Sequence, residues 1–247
     1  MSRLILPVML LTVCVGCSRS AAPIRVVSSV GDDQKQAASK EPQPDPVAEG
    51  KAIEFVEFLG GHVTRDEKLP GNPARAVNLY NSRANDAALK ELAPLRSLTS
   101  LNLHGCAVTD AGLKELASLT NLRKFVLSQT KVTDAGLKDL APLKNLTYLD
   151  LARTDITDAG LKDLAPLKSL TDLQLIATKV TDAGVKDLAN LTSLTHLNLG
   201  FTKLTDAAMK DLGALKHLEY LRVSDTPVTD AGVQELQKLL PNCVIRK

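Results

Sequence analysis

The stretch from Leu98 to Asn121, LTSLNLHGCAVTDAGLKELASLTN, decides the fold. It returns as LRKFVLSQTKVTDAGLKDLAPLKN from Leu122 to Asn145, and again from Leu146, Leu170, Leu194 and Leu218. A weaker copy, ARAVNLYNSRANDAALKELAPLRS, runs from Ala74 to Ser97. A fixed period of this size marks a solenoid, in which each unit buries its apolar face only by stacking on its neighbours.

The unit beginning at Leu146 shows what one turn is expected to do. Leu149 and Leu151 are two apart, which predicts a short strand with both side chains on one side. Ile156 turns inward. Thr157-Asp158-Ala159-Gly160-Leu161 then predicts a helix start, with Thr157 as N-cap and Asp158 at the positive end of the helix dipole. Leu161 and Leu164 face the strand, Pro166 ends the helix and Leu167 fills the corner. Gly160 is not read as a residue needing positive φ, because Ala88 and Ala208 hold the same place in other copies. The demand is for a small side chain at a closely packed helix start, and the motif is no phosphate loop.

These residues resemble the leucine-rich repeat family in its 24-residue, exported bacterial form, related to ribonuclease inhibitor-like arrays. The resemblance covers Ala74 to Lys247, as seven units plus a C-terminal capping strand. It implies an α/β right-handed solenoid, with a parallel sheet on the concave face and short helices on the convex face. It also implies a protein-binding role. Thr130, Thr154, Thr178, Thr202 and Thr226 stand where the family often carries Asn or Cys, and Cys106 and Ser82 hold the same position. The resemblance implies that these residues bond backbone groups of adjacent turns.

Ahead of the repeats, Lys51 to Pro73 reads as an N-terminal cap. Ile53, Val56 and Leu59 are three apart, Gly60-Gly61 is a helix stop, and His62 to Arg65 fits a short strand. At the far end Leu239 to Ile245 begins one more strand. Residues 18–50 are rich in Ser, Ala, Gln, Lys and Asp and end in Pro42-Gln43-Pro44-Asp45-Pro46, the composition of a disordered linker. As a flexible tether it would span ~30 Å.

Residues 1–17 read as a signal peptide: a basic start, an apolar run from Leu4 to Gly16, then small residues. That run is shorter than the roughly 20 residues a membrane-spanning helix needs. Cys14-Val15-Gly16-Cys17 resembles a bacterial lipoprotein signal. Gly16 and Cys17 match the pattern, while Cys14 stands where Leu, Val or Ile is usual. The resemblance implies acylation of Cys17 and a lipid anchor, and Ser18 after it favours the outer membrane. Plain secretion with cleavage near Ala21 or Ala22 is the alternative.

Thirty Lys and Arg against 28 Asp and Glu leave almost no net charge, and no basic stripe of the kind phosphate backbones need. Aromatics make up 3% of the chain, too few for a base-stacking platform. Nucleic acid is therefore not an expected partner. His104 and His196 lie four repeats apart, roughly 20 Å, and cannot share a metal. No cofactor motif occurs, Cys106 reads as a structural thiol, and the repeated Asp residues read as helix starts. The chain reads as no enzyme.

What remains is the outward side of the strands, whose residues the repeat leaves free to vary. One row reads Ala76, Ser100, Lys124, Tyr148, Asp172, His196, Tyr220, and the next Asn78, Asn102, Val126, Asp150, Gln174, Asn198, Arg222. Polar residues mixed with Tyr and Arg suit a protein or peptide partner. The expected binding residues are Tyr148, Asp150, Asp172, Gln174, His196, Asn198, Tyr220 and Arg222. The competing expectation is an envelope spacer with no ligand.

Overall fold

The computed structural model describes residues 45–247. The signal, Cys17 and all but the last residues of the linker lie outside the described residues. Nine strands form one sheet in chain order: β1 His62–Arg65, β2 Ala74–Asn78, β3 Ser100–Asn102, β4 Lys124–Val126, β5 Tyr148–Asp150, β6 Asp172–Gln174, β7 His196–Asn198, β8 Tyr220–Arg222 and β9 Val244–Arg246. From β2 onward, neighbours run parallel, and each residue pairs with the one a full repeat later, as Leu101 with Phe125 and Phe125 with Leu149. The sequence period has become the strand register. One strand departs from the all-parallel expectation. β1 runs antiparallel to β2 because the loop between them is too short for a crossover.

Each return path carries a short helix: α2 Asp86–Glu91, α3 Asp110–Leu113, α4 Asp134–Leu137, α5 Asp158–Leu161, α6 Asp182–Leu188, α7 Met209–Leu212 and α8 Asp230–Leu239. Between sheet and helices lies one continuous core. In the fourth unit Leu146, Leu149, Leu151, Ile156, Leu161, Leu164 and Leu167 are all buried to within 1%.

Successive helix starts are tied together by their aspartates. Thr157 donates its N–H to Asp134 Oδ1 at 2.8 Å and its hydroxyl to Asp134 Oδ2 at 2.6 Å. The same two bonds join Asp86 to Thr109, Asp110 to Thr133, Asp158 to Thr181, Asp182 to Thr205 and Asp206 to Thr229. The sequence assigns these carboxylates to the helix dipole. In helices as short as four residues that dipole is small, and the carboxylate is spent on the next repeat instead. The Thr157 oxygen also accepts the Ala159 N–H, so clamp and N-cap form one chain of bonds. This explains the small residue at the helix start. A Cβ on Gly112, Gly136, Gly160 or Gly184 would meet the Oδ1 of the preceding repeat's aspartate. Where Ala208 takes that place, a 3-10 turn Asp206–Ala208 precedes α7. In α5 the order is reversed, helix first and 3-10 turn after.

The ladder threonines bond differently from what the family resemblance implies. Thr130, Thr154, Thr178 and Thr202 donate to the Leu carbonyl three residues back in their own turn, at 2.6–2.7 Å. The residue just before each has left-handed backbone (Gln129, Arg153, Ala177 and Phe201, φ 54–57°), which folds the hydroxyl back onto its own strand. Such a conformation costs roughly 1–2 kcal/mol for a residue other than Gly. Each of these four also donates its N–H to a carbonyl of the next repeat, as Arg153 does to Ile176. Hydroxyl bonds to the backbone of an adjacent repeat come from another row: Thr99, Thr147, Thr171 and Thr195 each donate to a carbonyl one repeat back. Cys106, in the row of the ladder threonines, reaches the backbone of the adjacent turn, its thiol donating to the Leu79 carbonyl at 2.9 Å. Burial pushes that thiol's pKa up, which keeps it protonated for the role.

The cap helix, α1, spans Pro46–Phe58 and so begins inside the stretch read as linker. Asp45 is its N-cap and Pro46 its first residue, a pair that starts helices as readily as it marks loops. Ala52, Ile53 and Val56 are buried over the first turn of the solenoid, and Glu49 Oε1 accepts the Ala74 N–H at 2.6 Å. At the other end Gln237 Nε2 donates to the carbonyls of Leu240, Pro241 and Cys243, holding the chain as it enters β9.

Three outcomes follow. Asp134→Ala should destabilise the protein by about 2 kcal/mol, the worth of hydrogen bonds to one charged group. Gly160→Ala should cost less in that background than in the wild type, as a double-mutant cycle in urea would read. The bonds from Thr229 hold the Asp206 carboxyl below its ordinary pKa. Its stabilisation is present above the unfolded-state value and is lost as pH falls through the folded-state value. Asp206→Asn should therefore flatten the acid limb of a stability–pH profile.

Candidate functional site

The outward face of the sheet is the surface the repeat leaves unassigned. In β5, β6 and β7 the central leucine is fully buried, while the residues either side of it project from the sheet, half-buried. This puts Tyr148, Asp150, Asp172, Gln174, His196, Asn198 and Tyr220 on one face, with Arg222 exposed beside them. Strand register aligns Tyr148, Asp172, His196 and Tyr220 in one row and Asp150, Gln174, Asn198 and Arg222 in the next.

The two rows differ in freedom. Asp150 Oδ1 accepts the Ala152 N–H and Asn198 Oδ1 the Gly200 N–H, as Asn78 and Asn102 do for residues two further on. These side chains close a small turn at the strand end. Asp150 is further occupied by the Ser128 hydroxyl at 2.8 Å, so both its oxygens are committed within the protein. Gln174 and Arg222 close no such turn. Arg222 Nε donates to Ser224 Oγ, and no carboxylate lies within ion-pair distance of its guanidinium among the described residues. Arg246 of β9 is paired with Arg222 in register and likewise meets no carboxylate. Like charges facing each other across strands cost stability, and nothing within the fold offsets this pair.

In the first row Lys124 Nζ sits 5.1 Å from the centre of the Tyr148 ring, within cation–π range. Burial pushes the Tyr148 phenol upward, and Asp150 and Asp172 beside it push it further, so it remains a hydrogen-bond donor at neutral pH. The Thr171 hydroxyl, 2.9 Å from both, shares its one proton between Asp172 Oδ2 and the Thr147 carbonyl, and His196 stacks on Tyr220 with centroids 6.1 Å apart.

A hydrogen-bonded series that sequence reasoning missed crosses the N-terminal half. Tyr80, 57% exposed, stacks on His104 at 4.7 Å. His104 Nδ1 lies 2.9 Å from Ser128 Oγ, whose proton goes to Asp150. Since the Ser128 proton is committed, His104 Nδ1 is the donor in that contact. The order His–Ser–Asp is not that of a nucleophile activated by histidine, and Ser128 is 4% exposed. His104 lies in the turn after β3 and His196 opens β7, and among the described residues no three metal-ligating side chains converge. Cys106 and Cys243 are both free and buried.

The leucine-rich repeat profile matches residues 95–117, 118–141, 143–165, 190–213 and 214–236. The chain is a leucine-rich repeat protein. The profile passes over 166–189, yet β6 in that window pairs in the same register as its neighbours. Among solved structures this leucine-rich repeat protein is similar to internalin C2 of Listeria monocytogenes, at 25% sequence identity and a TM-score of 0.59, over 82% of each chain. No curated protein matches it in sequence. The repeat and the internalin-like fold are those of a protein-interaction module.

Proposed function

We propose that this protein is an exported, lipid-anchored binding module that holds a protein or peptide partner on the concave face of its sheet and catalyses no reaction. The observation that carries the reading is the contrast between the two sides of each strand. The inward residues are apolar in every repeat and buried, whereas the outward ones change from strand to strand. Stacking has no use for that variety, and recognition does. Tyr148 and Tyr220 supply aromatic anchors, Asp172 and Gln174 polar contacts, and Arg222 with Arg246 an unneutralised positive pair. Together they have the mixed character of an interface centre and its rim. The anchor rests on Gly16-Cys17, and residues 18–44 would tether the solenoid to the membrane.

Tyr148→Ala, Asp172→Ala and Tyr220→Ala combined should abolish capture of a partner crosslinked in the native envelope, while the far-ultraviolet spectrum and melting curve stay as in the wild type. Retention of every crosslinked species by the folded triple variant would favour a spacer role. For the anchor, mass spectrometry of the mature protein should find an acylated Cys17 at its N-terminus. A free N-terminus near Ala21 or Ala22 would mean plain secretion.

A further inference from the structure

The outward row is not uniform in size. At its N-terminal end stand Ala76 and Ser100, where later strands carry Lys124, Tyr148, Asp172, His196 and Tyr220. Small side chains beside large ones leave a depression of about 190 Å³ in the sheet face. β1 walls it on one side through His62 and Thr64, and β4 on the other through Lys124 and Val126. The first wall exists only because β1 folds back on β2, which places Thr64 opposite Ala76 and His62 opposite Asn78.

The chemistry of the lining is one-sided. Asn78 Oδ1 accepts the Tyr80 N–H at 3.1 Å, and Asn102 Oδ1 accepts the His104 N–H at 3.0 Å. A backbone N–H must face an acceptor, so these bonds fix which end of each side-chain amide is which. The oxygens are turned to the chain, and the free ends are the N–H₂ groups, which find no partner among the described residues. Ser100 and Thr64 add hydroxyls and His62 an imidazole, and Lys124, whose Nζ rests over the Tyr148 ring of the next strand, brings one positive charge to the margin. No carboxylate lines the depression. Lys124 makes no ion pair among the described residues.

Resting on the binding-module reading, we infer that this hollow is a subsite for an Asp or Glu side chain of the partner protein. A carboxylate carries a single negative charge, which one lysine balances, and its two oxygens accept from several donors at once. A phosphate would call for a second cation that the hollow lacks. The rest of the face sets the direction. Asp150 and Asp172 lie one and two strands beyond Lys124, up to roughly 10 Å away. They repel an acidic group placed over the middle of the sheet, so the partner's acidic residue lies toward β2 and β3 and its remaining contacts toward β8.

The test uses the full-length, ¹⁵N-labelled protein and three short peptides. The first is acetyl-Gly-Glu-Glu-Gly-amide, the second has glutamine in place of glutamate, and the third is acetyl-Gly-Ala-Ala-Gly as the free acid. The glutamate peptide should shift the side-chain N–H₂ signals of Asn78 and Asn102, assigned by their loss in Asn78→Ser and Asn102→Ser. The glutamine and free-acid peptides should leave them in place. Lys124→Gln should weaken glutamate-peptide binding at least tenfold. Ser100→Leu, which fills the hollow from an outward position, should abolish it with the melting curve unchanged. Equal response to the glutamine peptide, preference for the free acid, full binding by Lys124→Gln, or shifts confined to Arg222 and Arg246 would each overturn the subsite. A crosslinked partner lost by the Tyr148/Asp172/Tyr220 variant but kept by Lys124→Gln and Ser100→Leu would overturn the subsite and leave the binding-module reading standing.

Discussion

A carboxylate that spans two repeats sets the geometry on which the rest depends. Asp134 holds Thr157 by both its backbone N–H and its hydroxyl, and the bond pair recurs from Asp86 to Asp206. Leucine burial gives the stack its driving force but no direction, since apolar contact is indifferent to sliding or rotation. The aspartate bridges are directional. They set how far each helix start lies from the last and force a small residue beside them. With the spacing fixed on the helical side, the strands on the other side pair in strict register.

That register is what makes the outward face usable. A side chain at a given place in the repeat meets its counterparts directly above and below, so rows of residues far apart in the chain become continuous ribbons. Lys124 reaches the Tyr148 ring, His196 stacks on Tyr220, and His104 reaches Ser128 for this reason. Side chains held by their neighbours lose less freedom when a partner docks, which favours affinity without new contacts. The two ends of the solenoid are closed by different means. Glu49 pins the cap helix to β2 at one end, and Gln237 gathers three carbonyls at the other.

Much of the candidate face was legible before any coordinates. Period-2 alternation around Leu149 and Leu173 placed the eight expected residues outward, and they lie there. Three other features were not legible, two because they depend on contacts between segments and one because it depends on a backbone conformation. Asp158 looks like a dipole partner within its own helix, and its actual partner, Thr181, lies in the next repeat. Thr154 resembles a bond between turns, yet the left-handed Arg153 before it returns the hydroxyl to Leu151. The hollow at Ala76 and Ser100 had a visible cue, two small residues opening a row of large ones. Its missing wall is β1, which lies outside the repeat, so the repeat pattern does not place it against the row.

The sequence by itself determined the repeat, the strand and helix of each unit, the apolar inward set and the outward set, because those follow from spacing within about two dozen residues of chain. Only the tertiary structure decided which outward side chains are spent on their neighbours and which remain free. Asp150 and Arg222 occupy equivalent positions, yet one is saturated by Ala152 and Ser128 while the other meets no acid. The difference lies in what the adjacent turns of the coil hold opposite each of them, and stacking is what brings those turns together.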